Sequence, residues 1–315
     1  MTPKKIVQNS LLTMVISVIL ATVAIMYTDW RFPQQSQGQL VFAQTYTQGV
    51  DLDKIIISSD EGDVTLLHED NYWVVKEADY YYANIELINI LIQDINNSTY
   101  YSHQQNTVQN LQDTGINKGV RVRTYANNTL LNDITVGKEA QNPNYHFIKD
   151  NKQDDIWLAD GKYELPKEFY SWIMQPISDI PPEIIEKINT NNNIISRINP
   201  NTPFVSANKK IVQAGLLLDN ASYIVALDVV SAQNFIPETY PMQSSVYFTT
   251  FQGLIIGYHI YSNEKEYWLN MTLETTPLPK QYVSDYIKEN KIFYDGWYFK
   301  IPANQGKILS TKFLP

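Results

Sequence analysis

The chain has 315 residues, no cysteine, and 33 acidic against 24 basic side chains, which give a formal net charge of −9. The lack of cysteine excludes disulfides, thiolate nucleophiles and cysteine-ligated zinc or iron–sulfur sites. The acidic balance argues against a nucleic-acid surface, which needs clustered Lys and Arg. A hydrophobic share of 44% is ample for a packed core.

The first predicted element is a membrane anchor. Lys4 and Lys5 precede a long apolar stretch, Leu11–Tyr27, and about seventeen residues of helix rise about 25 Å, close to the hydrocarbon thickness of a bilayer. The positive-inside rule therefore predicts a cytoplasmic N-terminus and an extracytoplasmic bulk. A cleaved signal peptide is the alternative, but the apolar run continues past the small residues Thr22–Ala24, whereas cleavage sites normally lie beyond the apolar core. We expect residues 1–30 to be a cytoplasmic tip and an uncleaved transmembrane helix.

A stalk and a first α+β domain are predicted next. Residues 31–49 are rich in Gln and lack periodicity, which is typical of a short stalk. The first domain is expected over residues 50–182. It opens with three β-rich runs separated by Asp, Asn and Gly turns, a pattern that predicts a meander: Ile55–Ile57, Val64–His68 and Tyr72–Val75.

A helix is predicted after the meander, with Asn84 as its N-cap. Apolar residues at three- and four-residue spacing give it one apolar face, which is expected to pack on the meander: Ile85, Ile88, Leu91, Ile92 and Ile95. Asn127-Asn128 is a predicted hairpin turn among four further strands, and a short helix at Lys167–Met174 is expected to close the domain. The four strands are Val120–Tyr125, Leu130–Val136, Tyr145–Ile148 and Ile156–Ala159.

The second α+β domain is expected over residues 183–315. Its order of strands, helix and strands repeats that of the first, so we predict two related halves, each an antiparallel sheet with a helix against it. The predicted strands are Ile184–Ile188, Ile194–Ile198, Pro203–Val205, Ser245–Phe251, Leu254–Tyr261, Glu266–Leu273 and Trp297–Ile301. The predicted helices are Lys209–Leu218, Gln281–Glu289 and one that begins at Ala303.

Motifs for catalysis and for cofactors are missing from the sequence. There is no Gly-x-Ser-x-Gly elbow, no His-Glu-x-x-His zinc helix and no phosphate-binding glycine loop. Asp60–Asp63 is expected to be a hairpin turn, because a calcium loop needs a longer array of oxygen ligands. No pair of histidines has a characteristic metal-ligand spacing: His68, His103, His146 and His259. We therefore predict no catalytic, cofactor-binding or metal-ligating residue, no cofactor, and a protein that is not an enzyme.

Tyrosine is abundant, with 22 copies, and it clusters at both ends of the first predicted helix. Tyr80–Tyr82 precedes the helix and Tyr100-Tyr101 follows it. Tyrosine presents contact area at a modest cost in entropy, so these residues suit a protein contact or stacking on sugars. Ordinary β packing is the alternative explanation, because aromatic residues fit half-buried strands.

Several short strings follow one another in a characteristic order along the chain: Val64–Val75, Ala83-Asn84, Val136–Lys138, Ile156–Gly161, Leu165-Pro166, Trp172-Ile173, Asp179–Pro181, Asp295–Tyr298 and Ile301-Pro302. In their order and spacing, these strings resemble the bacterial domain-of-unknown-function family 4340. The resemblance covers most of the chain after the stalk and is strongest from residue 50 to residue 190. It implies a membrane-anchored, extracytoplasmic protein of Gram-negative bacteria, found beside gliding-type ABC transport systems. It brings no catalytic or binding residues.

The function expected from the anchor and the resemblance is that of an accessory or scaffold protein. We expect a single-pass protein of the bacterial inner membrane with a periplasmic bulk. Its expected partners are ABC permease or auxiliary subunits, together with the lipid bilayer through residues 11–27. The alternative is a module that binds envelope polysaccharide or peptide through the tyrosines at the helix ends. An enzyme without a recognisable motif is a third hypothesis.

Overall fold

The computed structural model describes residues 38–42, 51–104, 106–152, 155–175, 181–190, 193–206, 229–236, 238–263 and 265–312. The predicted span at Leu11–Tyr27 and the predicted helix at Lys209–Leu218 lie outside these residues. Within them the fold is mixed α+β, with antiparallel strand pairs and few helices, so the predicted class is confirmed. None of the helices among the described residues has both the length and the apolar character that crossing a bilayer requires.

The strands within the described ranges are numbered in chain order. They are β1 (Lys54–Ser59), β2 (Gly62–Glu69), β3 (Tyr72–Val75), β4 (Tyr81–Tyr82), β5 (Tyr100–Gln104), β6 (Val120–Ala126), β7 (Thr129–Glu139), β8 (Tyr145–Asp150), β9 (Asp155–Asp160), β10 (Ile185–Thr190), β11 (Ile194–Ser196), β12 (Val205–Ser206), β13 (Ser231–Gln233), β14 (Met242–Thr250), β15 (Leu254–Ser262), β16 (Tyr267–Thr275) and β17 (Tyr298–Ile301). The α-helices are α1 (Ile85–Asn97), α2 (Val108–Asp113), α3 (Gln281–Asn290) and α4 (Ala303–Lys307).

The chain divides into two compact units, and each is discontinuous in sequence. The first unit contains the described residues of 1–52 and 90–165, and the second contains those of 53–89 and 166–315. The predicted domain boundary at residue 182 and the predicted duplication stay predictions.

In the first unit, five antiparallel strands follow the order β6-β7-β8-β9-β5. The predicted turn at Asn127-Asn128 is confirmed: both residues have positive φ, 50° and 62°, the backbone that a tight hairpin between β6 and β7 demands. Inward side chains of alternating strand positions, such as Val122, Ile134 and Ile148, are buried and form the core.

Part of the predicted stalk belongs to the folded first unit. The Val41 N–H donates to the Ser98 carbonyl at 2.8 Å, and the Tyr100 N–H donates to the Gln39 carbonyl at 2.9 Å. Phe42 is fully buried, with its ring centroid 6.4 Å from that of Tyr163. The buried ring of Phe42 and the backbone hydrogen bonds attach residues 38–42 to the first unit, although the sequence around them is rich in Gln.

The second unit begins with the predicted meander, in the strand order β4-β3-β2-β1. Helix α1 follows the meander, and only its first five residues, 85–89, are counted in the second unit. It starts as expected, because Asn84 Oδ1 accepts hydrogen bonds from the N–H groups of Glu86 (3.1 Å) and Leu87 (3.2 Å). Ile88 is fully buried, whereas Ile85, the first helical residue, is 56% exposed. The predicted apolar face is therefore confirmed except at its first position.

The second unit also holds an eight-stranded antiparallel sheet, in the order β12-β11-β10-β14-β15-β16-β17-β13. The strong strand predictions for β14, β15 and β16 are confirmed. One face of these strands carries a row of buried, mainly apolar side chains: Val246, Phe248, Ile256, Tyr258, Ile260, Leu269 and Met271. The same unit therefore has a continuous core under its longest strands.

The helix predicted at Lys167–Met174 is wrong. Only a short 3-10 turn, Phe169–Trp172, forms there. Trp172 is fully buried with its indole N–H donating to the Pro166 carbonyl at 2.8 Å, and Ile173 is extended and forms a β-bridge with Ala83. Backbone pairing with the meander therefore competes with the helix and prevails, a tertiary effect that local periodicity does not contain.

Candidate functional site

An open groove of about 940 Å³ lies on the sheet of the first unit. Phe147 in β8 and Leu158 in β9 are directly paired across the two strands, so their side chains share one face. Tyr145 lies two residues before Phe147 and projects to that same face. These three half-exposed side chains form an apolar floor.

Tyr101 completes the aromatic part of the groove from the neighbouring strand β5. Its side chain is 53% exposed, and its ring centroid is 5.1 Å from that of Tyr145, with the planes inclined at 57°. A ligand that binds in this concave surface would bury the exposed part of the Tyr101 ring, and that burial of apolar area favours binding.

The walls of the groove are polar. Helix α2 and the residue after it supply one wall, and the end of β7 together with its connection to β8 supplies the other. The wall residues are Asn110, Asp113 and Thr114 on the first side, and Lys138, Glu139, Gln141 and Asn142 on the second. An apolar floor with a few converging polar groups is the usual composition of a ligand site.

Local sequence positions the two walls. Thr107 caps α2, because its Oγ1 accepts from the Asn110 N–H at 3.1 Å. The Lys138 N–H then donates to the Thr114 carbonyl at 2.9 Å and ties the end of α2 to β7. Gly137 permits this approach, since a Cβ at that position would stand 2.4 Å from the Thr114 carbonyl oxygen.

The tyrosines at the ends of α1 have different roles. Tyr81 is fully buried in the second unit, its hydroxyl donates to the Phe293 carbonyl at 3.1 Å, and burial raises the pKa of its phenol. Tyr82 packs edge-on against Phe293, and Tyr100 packs against Trp157. Tyr101 alone of the tyrosines in these two clusters lines the groove. The alternative of ordinary packing therefore holds for Tyr81, Tyr82 and Tyr100.

The histidines remain dispersed. His68 packs against Trp73, and His103 against Trp157, while His146 Nδ1 lies 2.9 Å from the Gly161 carbonyl oxygen. In the part of the chain that the structure describes, no group of three or more His, Cys, Asp or Glu side chains could hold a metal ion. The four histidines of the sequence are all within that part.

The fourth histidine, His259, forms a serine–histidine contact that resembles part of a catalytic arrangement. Ser245 Oγ lies 2.9 Å from His259 Nδ1, and Thr272 Oγ1 lies 3.5 Å from His259 Nε2. Burial lowers the pKa of His259. In a hydrolytic triad the second ring nitrogen is held by a carboxylate, whereas a threonine hydroxyl faces it here. Because Ser245 and His259 are directly paired in β14 and β15, cross-strand pairing accounts for the contact.

The predicted hairpin turn in the acidic sequence Asp60–Asp63 forms between β1 and β2, with Gly62 and Asp63 already paired to β1. Asp60 Oδ1 lies 2.6 Å from the Lys167 ammonium, so the turn carries an ion pair at the surface. A smaller apolar pocket of about 330 Å³ lies in the second unit beside α3. Its lining combines apolar side chains with Thr250, Gln252 and two tyrosines: Ile184, Thr250, Gln252, Leu254, Ile256, Tyr282, Val283 and Tyr286.

Comparison with known families identifies the family of the chain. The family model described as Domain of unknown function (DUF4340) matches residues 73–243, more than half of the 315 residues. The chain belongs to this family. No curated protein and no solved structure matches the DUF4340 chain. The matched range runs from β3 into β14 and includes all the groove residues, so the groove is built from the part of the chain that defines its DUF4340 membership.

Sequence reasoning foresaw Tyr101 as a candidate contact residue but missed the rest of the groove. Tyr145 and Phe147 were predicted only as strand residues, and α2 was not predicted. The available signal was the alternation of Tyr145 and Phe147 on one strand face. Which other strands stand beside that face cannot be obtained from periodicity.

Proposed function

We propose that this DUF4340 chain is a single-pass, membrane-anchored extracytoplasmic accessory protein of an ABC-type transport system, without catalysis of its own. The observation that carries the proposal is the apolar stretch Leu11–Tyr27 behind Lys4 and Lys5, followed by a large folded part. Its support from the folded part is that the groove of the first unit is open and presents side chains for contact.

A single anchor is physically sufficient for such a role. Tethering keeps the folded part close to the membrane and raises its effective concentration toward membrane partners, so a weak interface suffices. The proposed orientation places the N-terminus in the cytoplasm and the bulk in the periplasm, from the charge in front of the apolar stretch.

Crosslinking in native membranes tests the transporter association. The full chain should crosslink to ABC permease or auxiliary subunits. A variant without residues 1–30 should lose function even where circular dichroism shows that it folds, and the same variant joined to an unrelated single-pass anchor should regain it. If the full chain is functional in these membranes and its crosslinked products contain no ABC subunit, the proposal is contradicted.

The second candidate function is that of a module for binding envelope polysaccharide or peptide. The observation that favours it is the pair of Tyr101 and Tyr145 over the floor of the groove, with polar side chains on both sides. Binding of soluble oligosaccharides and of peptides to the full chain in detergent tests this function directly.

A further inference from the structure

We propose that the groove of the first unit binds a neutral glycan chain through stacking on Tyr101 and Tyr145. The inference rests on the second candidate function, a binding module, and names its ligand class. It does not require the transporter association.

The floor of the groove suits the apolar face of a sugar ring. A pyranose presents C–H groups on its faces and hydroxyls around its rim, so it needs a flat apolar surface bordered by polar groups. Tyr101 and Tyr145 supply aromatic surface, and the paired Phe147 and Leu158 extend it along the strands. Covering these rings removes apolar area from water, which favours binding.

The walls of the groove suit the rim of hydroxyls. A hydroxyl both donates and accepts, and the amide groups of Asn110, Gln141 and Asn142 do the same, while carboxylates accept. Asn142 is also oriented: its Oδ1 accepts from the Asn144 N–H at 3.2 Å, so its NH₂ donor is the group it can offer to a ligand. Fixed amides of this kind lower the entropic cost of binding.

Charge favours a neutral glycan over an acidic one. The groove contains two carboxylates, Asp113 and Glu139, against the single ammonium of Lys138. The whole chain carries a formal net charge of −9. A polyanionic glycan would therefore approach against like charge, both locally and at long range.

The edge of the sheet argues against an extended peptide as the occupant. Extended peptides commonly bind by adding a strand to a free sheet edge. β5 is the last strand of the five, and the chain's own residues 38–41 pair beside its first residue: the Gly38 N–H donates to the Tyr100 carbonyl at 2.7 Å, and Leu40 forms a β-bridge with Thr99. The chain's own residues thus occupy the sheet edge at the start of β5, directly before Tyr101.

Isothermal titration calorimetry on the full chain tests the inference. The protein is kept in a detergent without a sugar headgroup, because a glycoside detergent would compete. The probes are maltohexaose, cellohexaose and chitohexaose, with polygalacturonate as the acidic comparison and an unbiased peptide library as the second class. At least one neutral hexaose should bind, and polygalacturonate should bind more weakly.

Variants locate the binding to the groove. Tyr101→Ala should lower the affinity for the hexaose that binds by about tenfold, the usual effect of removing a central aromatic contact. Tyr101→Phe keeps the ring and should stay within about twofold. Tyr282→Ala is the matched control, since Tyr282 is 55% exposed, close to the 53% of Tyr101, and lies on α3 in the second unit. Unchanged thermal unfolding of the three variants excludes a folding defect.

The outcomes separate this inference from the function on which it rests. If peptides bind, no hexaose binds and Tyr101→Ala abolishes the peptide binding, the glycan assignment is overturned. The second candidate function, a binding module, is then still supported. Absence of binding for all the probes overturns both. Hexaose binding with an unchanged affinity in Tyr101→Ala overturns the assignment to this groove.

Discussion

Asp133 in β7 is a nearly buried carboxylate that several donors hold in its ionised form. Arg121 donates to it through Nε at 2.7 Å and Nη2 at 2.5 Å, and Asn151 Nδ2 donates at 3.0 Å. The hydrogen bonds from Arg121 are the largest cause that lowers the pKa of Asp133, with a smaller effect from Asn151, while burial opposes them. The stability that this carboxylate contributes is therefore complete above its unfolded pKa of about 4 and is lost as the pH falls through the lower, folded value.

Asp133→Asn should lower the free energy of unfolding at pH 7 by about 1–3 kcal/mol, because it leaves part of the Arg121 fork unmatched. The gap between wild type and variant should shrink below about pH 4, because the Asp133 carboxylate of the unfolded chain then takes up a proton that the folded chain still resists. Urea denaturation at pH 7 and pH 3 measures both values. Asp295→Asn is the control, because its ion pair with Lys291 is exposed and 3.6 Å long. A gap that is the same at both pH values would contradict the charge-based explanation.

Asn128 occupies the left-handed backbone region in the β6–β7 hairpin, at φ 62°. Asn128→Ala should cost about 1 kcal/mol of stability, because a Cβ without a compensating local hydrogen bond is disfavoured there. Asn128→Gly relieves the same strain and should be neutral or stabilising. Thermal unfolding compares the two variants, and equal losses in both would mean that the side chain of Asn128, rather than its backbone conformation, determines the stability of this hairpin.

Helix α1 shows at the scale of elements how an amphipathic pattern becomes a packed element. Its cap, Asn84, and its buried Ile88 agree with the sequence pattern, because a capping residue and a 3.6-residue period are local properties. β5 and α2 escaped prediction for the opposite reason. β5 reads YYSHQ and α2 reads VQNLQD, sequences with little apolar periodicity. β5 forms by pairing with β9, and α2 is a short helix with a Thr107 cap.

Ile88→Asp should be severely destabilising, by several kcal/mol, because it buries an unpaired charge on the packed face of α1. The helix contains its own control. Ile85→Asp makes the same chemical change at an exposed position in the first turn, where an acidic residue is favourable, and should leave stability within about 0.5 kcal/mol. Chemical denaturation of the two variants checks the pair. Similar losses at both positions would contradict the assigned register.

At the scale of the whole molecule, the membrane topology is the property most open to a direct test. Reporter fusions after residue 40 should be active outside the cytoplasm, because the charge at Lys4 and Lys5 predicts an N-terminus that stays inside. Mass spectrometry of the membrane-bound protein should recover Met1–Tyr27. A soluble chain that begins near residue 25 would instead support a cleaved signal peptide.

The sequence by itself determined the α+β class, the family, the meander, the long strands β14 to β16, the Asn127-Asn128 turn and the start of α1. Each of these depends on residues close together in the chain, through alternation, turn preference or capping. Only the tertiary structure decided that a 3-10 turn with a buried Trp172 forms where a helix was predicted. It also decided that Phe42 in the predicted stalk is part of the core and that Tyr101 lies beside Tyr145. These depend on strand order and on pairs distant in sequence, and local patterns contain no information on which strands become neighbours.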